Sequence, residues 1–178
     1  MSKEGKNGVS ENTTKNILFG AGTIHKGLTY AGSKWNFEES IVGATSGGSK
    51  LSIIPEVTNI EIDGALVKAK GLEVKTGESA MMEVNFIELT KDIIKAAPFG
   101  SEGTSEDGTM DAIVPKASIT PGDYWENIAF VGKTLEGKNI IAILENALCT
   151  NGFTQEGKNK GAPKRTHASG VWQNGYSD

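Results

Sequence analysis

Cysteine, histidine and proline are all scarce in this chain. One cysteine, Cys149, excludes an intramolecular disulfide, so the disulfide-stapled scaffolds of small secreted proteins are ruled out and a reducing compartment is the simplest setting. Only two histidines are present, His25 and His167, and no Cys or His spacing matches a zinc site. No stretch reaches the roughly 18 consecutive apolar residues that a membrane-spanning helix needs. The N-terminal residues 1–16 lack the apolar core of a signal peptide, so cytosolic synthesis and no membrane association are expected. Positive charge is also in deficit. With Lys and Arg at 18 against 22 Asp and Glu, the net charge is −4 and no basic surface for holding phosphates is expected.

Glycine is plentiful, at 23 residues against 5 prolines, which points to turns and bulges between strands. At 178 residues the chain fits one domain with loose ends. Residues 1–16 are polar, contain Gly5 and Gly8, and read as an arm that orders only against a partner. The domain proper then spans 17–172, followed by a loose tail, 173–178. Ile17 to Lys26 reads as one strand broken at Gly20-Ala21-Gly22. Residues 33–50 read as a long irregular loop, and residues 51–55 as a short strand.

Residues 57–88 carry the clearest pattern. Alternation places Ile60 and Ile62 on a buried face, with Asn59, Glu61 and Asp63 opposite. Asp63-Gly64 is a candidate hairpin turn and Lys75-Thr76-Gly77-Glu78 a second. Met82, Val84 and Phe86 alternate with Met81, Glu83, Asn85 and Ile87. A helix over 88–97 follows, with apolar positions 89, 93, 96 and 97 and a stop at Pro98. Two more strands flank Leu135-Glu136-Gly137, the second apolar on both faces and therefore central or at an interface, and residues 165–172 give a last strand.

Chemistry-bearing motifs are lacking. The stretch from Gly43 to Lys50 looks like a phosphate-binding loop, but Ser49 separates the last glycine from the lysine and a strand follows in place of a helix. The acidic run 101–111 has the wrong carboxylate order for a calcium loop. Nothing local activates Cys149, and no carboxylate pair stands out as acid and base. No catalytic residue, metal ligand or cofactor site is expected, and no enzyme.

Taken in order, TNIEIDGALVKAKGL, AMMEVNFIELTKDIIKAA and GDYWENIAFVGKTLEGKNIIAILENAL resemble the major tail tube proteins of long non-contractile-tailed bacteriophages, over residues 17–172. The resemblance implies a mainly β fold, a sandwich or barrel of antiparallel strands with one flanking helix, whose strands join between subunits into a ring. It implies hexameric rings stacked into the hollow tube of a virion tail, made in the host cytoplasm. A tape measure protein would occupy the lumen, with tail terminator and distal tail proteins at the ends. DNA would pass through during ejection without specific binding. The stretch 164–172 departs from the family's usual last strand, which leaves the C-terminal contact open.

Fixed cations in a narrow pore would hold DNA, so a polar, acidic lumen is expected. Asn59, Glu61, Glu83 and Asn85 are the lumen candidates, against a plain solvent face. Trp35, Phe37 and Ile41 are candidate anchors that dock the 33–50 loop on the next ring, against a private core beneath that loop. Two alternatives stand beside this reading. One is the inner tube of a contractile or type VI secretion particle; the other is a monomeric β-sandwich binding module with a sugar platform of Tyr30, Trp35 and Trp125.

Overall fold

Strand alternation and glycine punctuation build a mainly β, antiparallel structure. The computed structural model describes residues 10, 12–64, 67–68, 70–96, 99–152 and 168–174. A single turn, α1 (Thr13–Asn16), leads into β1 (Leu18–His25), the small hairpin β2 (Tyr30–Ala31) and β3 (Lys34–Trp35), and a second turn, α2 (Phe37–Ser40). The long strands β4 (Thr45–Asn59) and β5 (Glu73–Phe86) follow, then α3 (Lys91–Ala96) and the hairpin β6 (Gly100–Thr104) and β7 (Asp111–Pro115). β8 (Trp125–Thr134), β9 (Asn139–Cys149) and β10 (Ala168–Asn174) complete the order.

Six strands form one sheet in the order β1-β8-β9-β10-β5-β4, each pairing antiparallel. The last strand in sequence is central in space. β10 bonds β9 on one side and β5 on the other, so it joins the β8–β9 hairpin to the β4–β5 hairpin. The six strands do not close into a barrel. At one end, however, residues 40–42 lie along β1: the Lys26 N–H donates to the Ser40 carbonyl at 2.8 Å and the Val42 N–H to the Ile24 carbonyl at 3.0 Å.

The core is two-sided around β8. On one side Trp125 and Ile128 pack with Met82, Val84 and Phe86 of β5, Leu144, Ala147 and Cys149 of β9, Ile24, and Ile93 and Ala96 of α3. On the other, Ala129 and Val131 pack with Leu28, Trp35, Phe37 and Ile141. Asn127, at φ 46°, adopts the left-handed conformation that asparagine tolerates and interrupts the alternation of β8. Each fully buried Phe, Ile, Leu or Met in these clusters contributes roughly 1.5–3 kcal/mol.

Several sequence expectations change. Residues 33–50 are not one irregular loop, because they contain β3, α2 and the start of β4, held by pairing of Thr45 with Phe86 and Ser49 with Val84. Residues 51–55 and the run from Val57 are one strand, since β4 runs through Pro55 to Asn59, which an edge position permits because a missing N–H there breaks no interior ladder. Asp63-Gly64 is a turn within the longer 60–72 connection, where the Ile60 N–H donates to the Leu72 carbonyl, and not a two-residue hairpin. Lys75 to Glu78 lies inside β5, where the partners of Glu56 and Val57 are Gly77 and Lys75, so Thr76 is a bulge. Ile60 and Ile62 are about half exposed and not on a buried face. The helix is shorter than 88–97, and Gln173 and Asn174 are paired in β10 and not part of a loose tail. Other expectations match: Met82, Val84 and Phe86 form one buried row, β1 carries two extra residues between Phe19 and Thr23, opposite Lys133 and Val131, and Leu135-Glu136-Gly137 turns β8 into β9. Residues 1–9 of the N-terminal arm, 175–178 of the tail and His167 lie outside the described residues.

Candidate functional site

On the face of β4 and β5 opposite the core, the stretch around Lys50 and Glu83 carries polar side chains beside Met81. Register pairs Lys50 with Glu83 and Ser52 with Met81, so these side chains share the side turned away from Met82, Val84 and Phe86. Glu83 is bound by Lys50 at 3.1 Å, and the Asn85 side-chain amide donates to the Gly48 carbonyl at 3.3 Å. Glu83 and Asn85 are thus neighbours on one strip, with the backbones of Val171 and Ser169 paired beside them. The Lys50 ammonium balances Glu83, so this strip is polar without net negative charge.

The other two lumen candidates sit elsewhere. Asn59 ends β4 opposite Glu73, and Glu61 is exposed in the connection beyond it, so both lie at the far end of the long hairpin. The Asn59 Oδ1 is shielded from solvent with no hydrogen-bond partner among the described residues. The four candidates therefore do not make one continuous strip.

That hairpin is the most unusual surface of the molecule. From Ile53 to Thr58 every residue of β4 is exposed, as are Glu73 to Thr76 of β5. Ile53 and Val57 extend the core-facing row beyond Leu51, while Ile54 and Val74 lie on the reverse side, so both faces of the ribbon are apolar in part. Ile53 and Val57 are 58% and 57% exposed. A two-stranded ribbon is marginal in water without something packed on it. The signal for it was present in the run Leu51-Ser52-Ile53-Ile54, but the break at Pro55 hid the continuity with 57–59.

Of the three anchor candidates, Trp35 and Phe37 stack on each other with centroids 6.2 Å apart and cover Leu28, Ala129 and Val131. They form the private core beneath their segment. Ile41 is not a buried anchor: it is 51% exposed beside the bridge it makes with His25. The aromatic platform is likewise split. Tyr30 lies exposed against Trp35 at 5.3 Å, but Trp125 is buried in the main core with the Lys26 ammonium 4.5 Å above its ring.

One arrangement has the outline of a nucleophile with its base. His25 Nδ1 lies 2.8 Å from Ser40 Oγ, and both residues are buried. The Ser40 hydroxyl, however, donates to the Asn36 carbonyl at 2.7 Å, so it accepts from the imidazole and cannot surrender its proton to it. Among the described residues no group of three His, Cys, Asp or Glu side chains is placed to hold a metal ion, and no helix is long and apolar enough to cross a membrane. No protein-family model and no curated protein matches the sequence.

Proposed function

We propose that this chain is a structural subunit that assembles into hexameric rings stacked as the hollow tail tube of a long-tailed phage particle, serving as the conduit for DNA. The β4–β5 ribbon carries the reading. Its apolar residues extend beyond the subunit's own core on both faces, and burying each against a neighbouring copy would gain on the order of 1 kcal/mol or more. The outer edges of β4 and of β1, the latter bonded to residues 40–42 only at its His25 end, stand at opposite ends of the sheet order and supply a second element. An edge on each side of one subunit suits a head-to-tail ring, in which each open ladder is covered by the next copy.

In this reading the sheet curves between subunits in the manner of a sandwich or barrel, and the polar strip of Lys50, Glu83 and Asn85 faces the lumen. A strip whose cation is already paired offers phosphate no fixed binding point, so DNA slides past it. The ribbon tip, with Asn59 and Glu61, reaches the adjacent ring, a role first assigned to residues 33–50. The subunit itself performs no catalysis. Its partners are further copies, a tape measure protein inside, and terminator and distal tail proteins at the tube ends.

Negative-stain electron microscopy of the purified full chain at rising concentration tests the proposal. Hollow sixfold rings or tubes support it. Featureless single particles at every concentration, together with sugar binding at Tyr30 and Trp35, would replace it with the monomeric binding module.

A further inference from the structure

His25 closes β1 and is 2% exposed, yet both ring nitrogens are bonded. Because the Ser40 hydroxyl is committed to the Asn36 carbonyl, Nδ1 carries the proton and donates to Ser40 Oγ. Thr23 Oγ1 then donates to Nε2 at 2.8 Å. The ring also meets Phe37 edge-on at 5.8 Å. Around it the backbone bonds from Lys26 to Ser40 and from Val42 to Ile24 hold the 26–42 segment against β1. That segment carries Leu28, Trp35 and Phe37, the lid over Ala129, Val131 and Ile141.

We propose that His25 is an acid-operated pin: as the neutral imidazole it fastens the 26–42 flap to β1 and β8, and protonation at Nε2 releases that flap. Adding the proton puts a donor where Thr23 now donates and places a cation in an enclosed site. Thr23 can turn its hydroxyl to the Val131 carbonyl only at 3.4 Å, a poor replacement bond. Among the described residues no neighbouring group compensates the charge. Directly after β1 comes Lys26, a like charge held by Asp92 of α3 at 3.0 Å; from α2 come Glu38 and Glu39, both exposed; from β8, Ala129 is paired with His25, and residues 128–131 carry no titratable side chain. Among the described residues no carboxylate hydrogen-bonds the ring.

Burial holds His25 below its ordinary value of 6.5, with a bond to the Phe37 backbone partly opposing. The sign follows. The released state binds the proton more readily than the pinned one, so the pin is fully effective above the ordinary value and weakens as pH falls from there towards the depressed value. The pin acts within one subunit, so it stands or falls independently of ring assembly.

Hydrogen exchange by mass spectrometry on the full chain, between about pH 7.5 and pH 5 and corrected for intrinsic exchange, tests it. Protection of peptides over 26–42 is expected to be lost relative to β5 as pH falls through this range. His25→Gln, which cannot titrate, removes that pH dependence. Should this variant fail to fold, an NMR titration of the wild-type ring, assigned with His167→Gln, must place His25 protonation at the pH where protection is lost. Unchanged relative protection, a His25 ring still neutral where the flap opens, or full pH dependence in His25→Gln would overturn the proposal.

Discussion

Both carboxylate oxygens of Asp123 accept hydrogen bonds from the Lys116 ammonium, at 2.6 and 2.8 Å. Asp123 also accepts from the Thr120 N–H at 2.7 Å and hydroxyl at 2.8 Å, closing a capping box on the turn Pro121–Asp123 that feeds β8. The Asp123 side chain is 9% exposed, so these bonds are shielded from water. Asp123→Asn is expected to cost about 1–2 kcal/mol, measured by chemical denaturation, since a charge-assisted bond and a cap are weakened together. The Lys116 bond, chiefly, holds the Asp123 carboxyl below its ordinary value. Its contribution is therefore present above the usual carboxylate range and lost as pH falls through the depressed value.

Gly22 and Gly20 both have positive φ, but their surroundings differ. A Cβ on Gly22 would lie 2.4 Å from the Phe130 ring and 2.8 Å from the Val131 carbonyl, whereas one on Gly20 meets nothing. Gly22→Ala is expected to cost about 2–4 kcal/mol, from strain and displaced core packing, and Gly20→Ala only about 1 kcal/mol from the backbone alone. Equal losses in denaturation midpoints would show that the bulge does not position β1 against Phe130.

Much of this was legible in the amino-acid pattern. Gly20-Ala21-Gly22 announced its bulge, and Met82, Val84 and Phe86 announced the core row, because a period of two is local information. The central place of β10 was not, since its pairing with both β5 and β9 is decided by distant residues. Thr45 to Lys50 reads as a loop by composition, yet pairing with β5 overrides that propensity. At the candidate site, Glu83 and Asn85 followed from alternation, but the partnership of Glu83 with Lys50 depends on the β4–β5 register, which local spacing does not specify.

Asp107 shapes the tip of the β6–β7 hairpin. It accepts from the Thr109 hydroxyl at 2.7 Å, the Thr109 N–H at 3.0 Å and the Ser105 hydroxyl at 2.8 Å. These bonds, the Thr109 hydroxyl foremost, lower its carboxyl from 3.8 to about 2. The turn should therefore keep its conformation as pH falls past the ordinary value and open only near the lowered one. An NMR titration of the Thr109 amide checks this; a midpoint near the ordinary carboxylate value would mean that the turn's bonds are not formed in solution.

Ile53 and Val57 carry little of the single subunit's stability, because both are more than half exposed. Replacing both with serine is expected to shift the unfolding free energy of the subunit by less than about 0.5 kcal/mol per site while abolishing self-association. Phe86→Ala, in the core, serves as the contrast and should cost about 3–5 kcal/mol. Thermal unfolding of dilute protein, read beside light scattering of concentrated protein, separates the two effects.

Sedimentation of the wild-type chain across a concentration series goes to the heart of the matter. Growth from the 18.8 kDa chain to a species six times that mass, and then to longer multiples of it, is the result expected of a stacking ring subunit. A single 18.8 kDa species up to the solubility limit, both alone and when seeded with preformed tail assemblies, would contradict it.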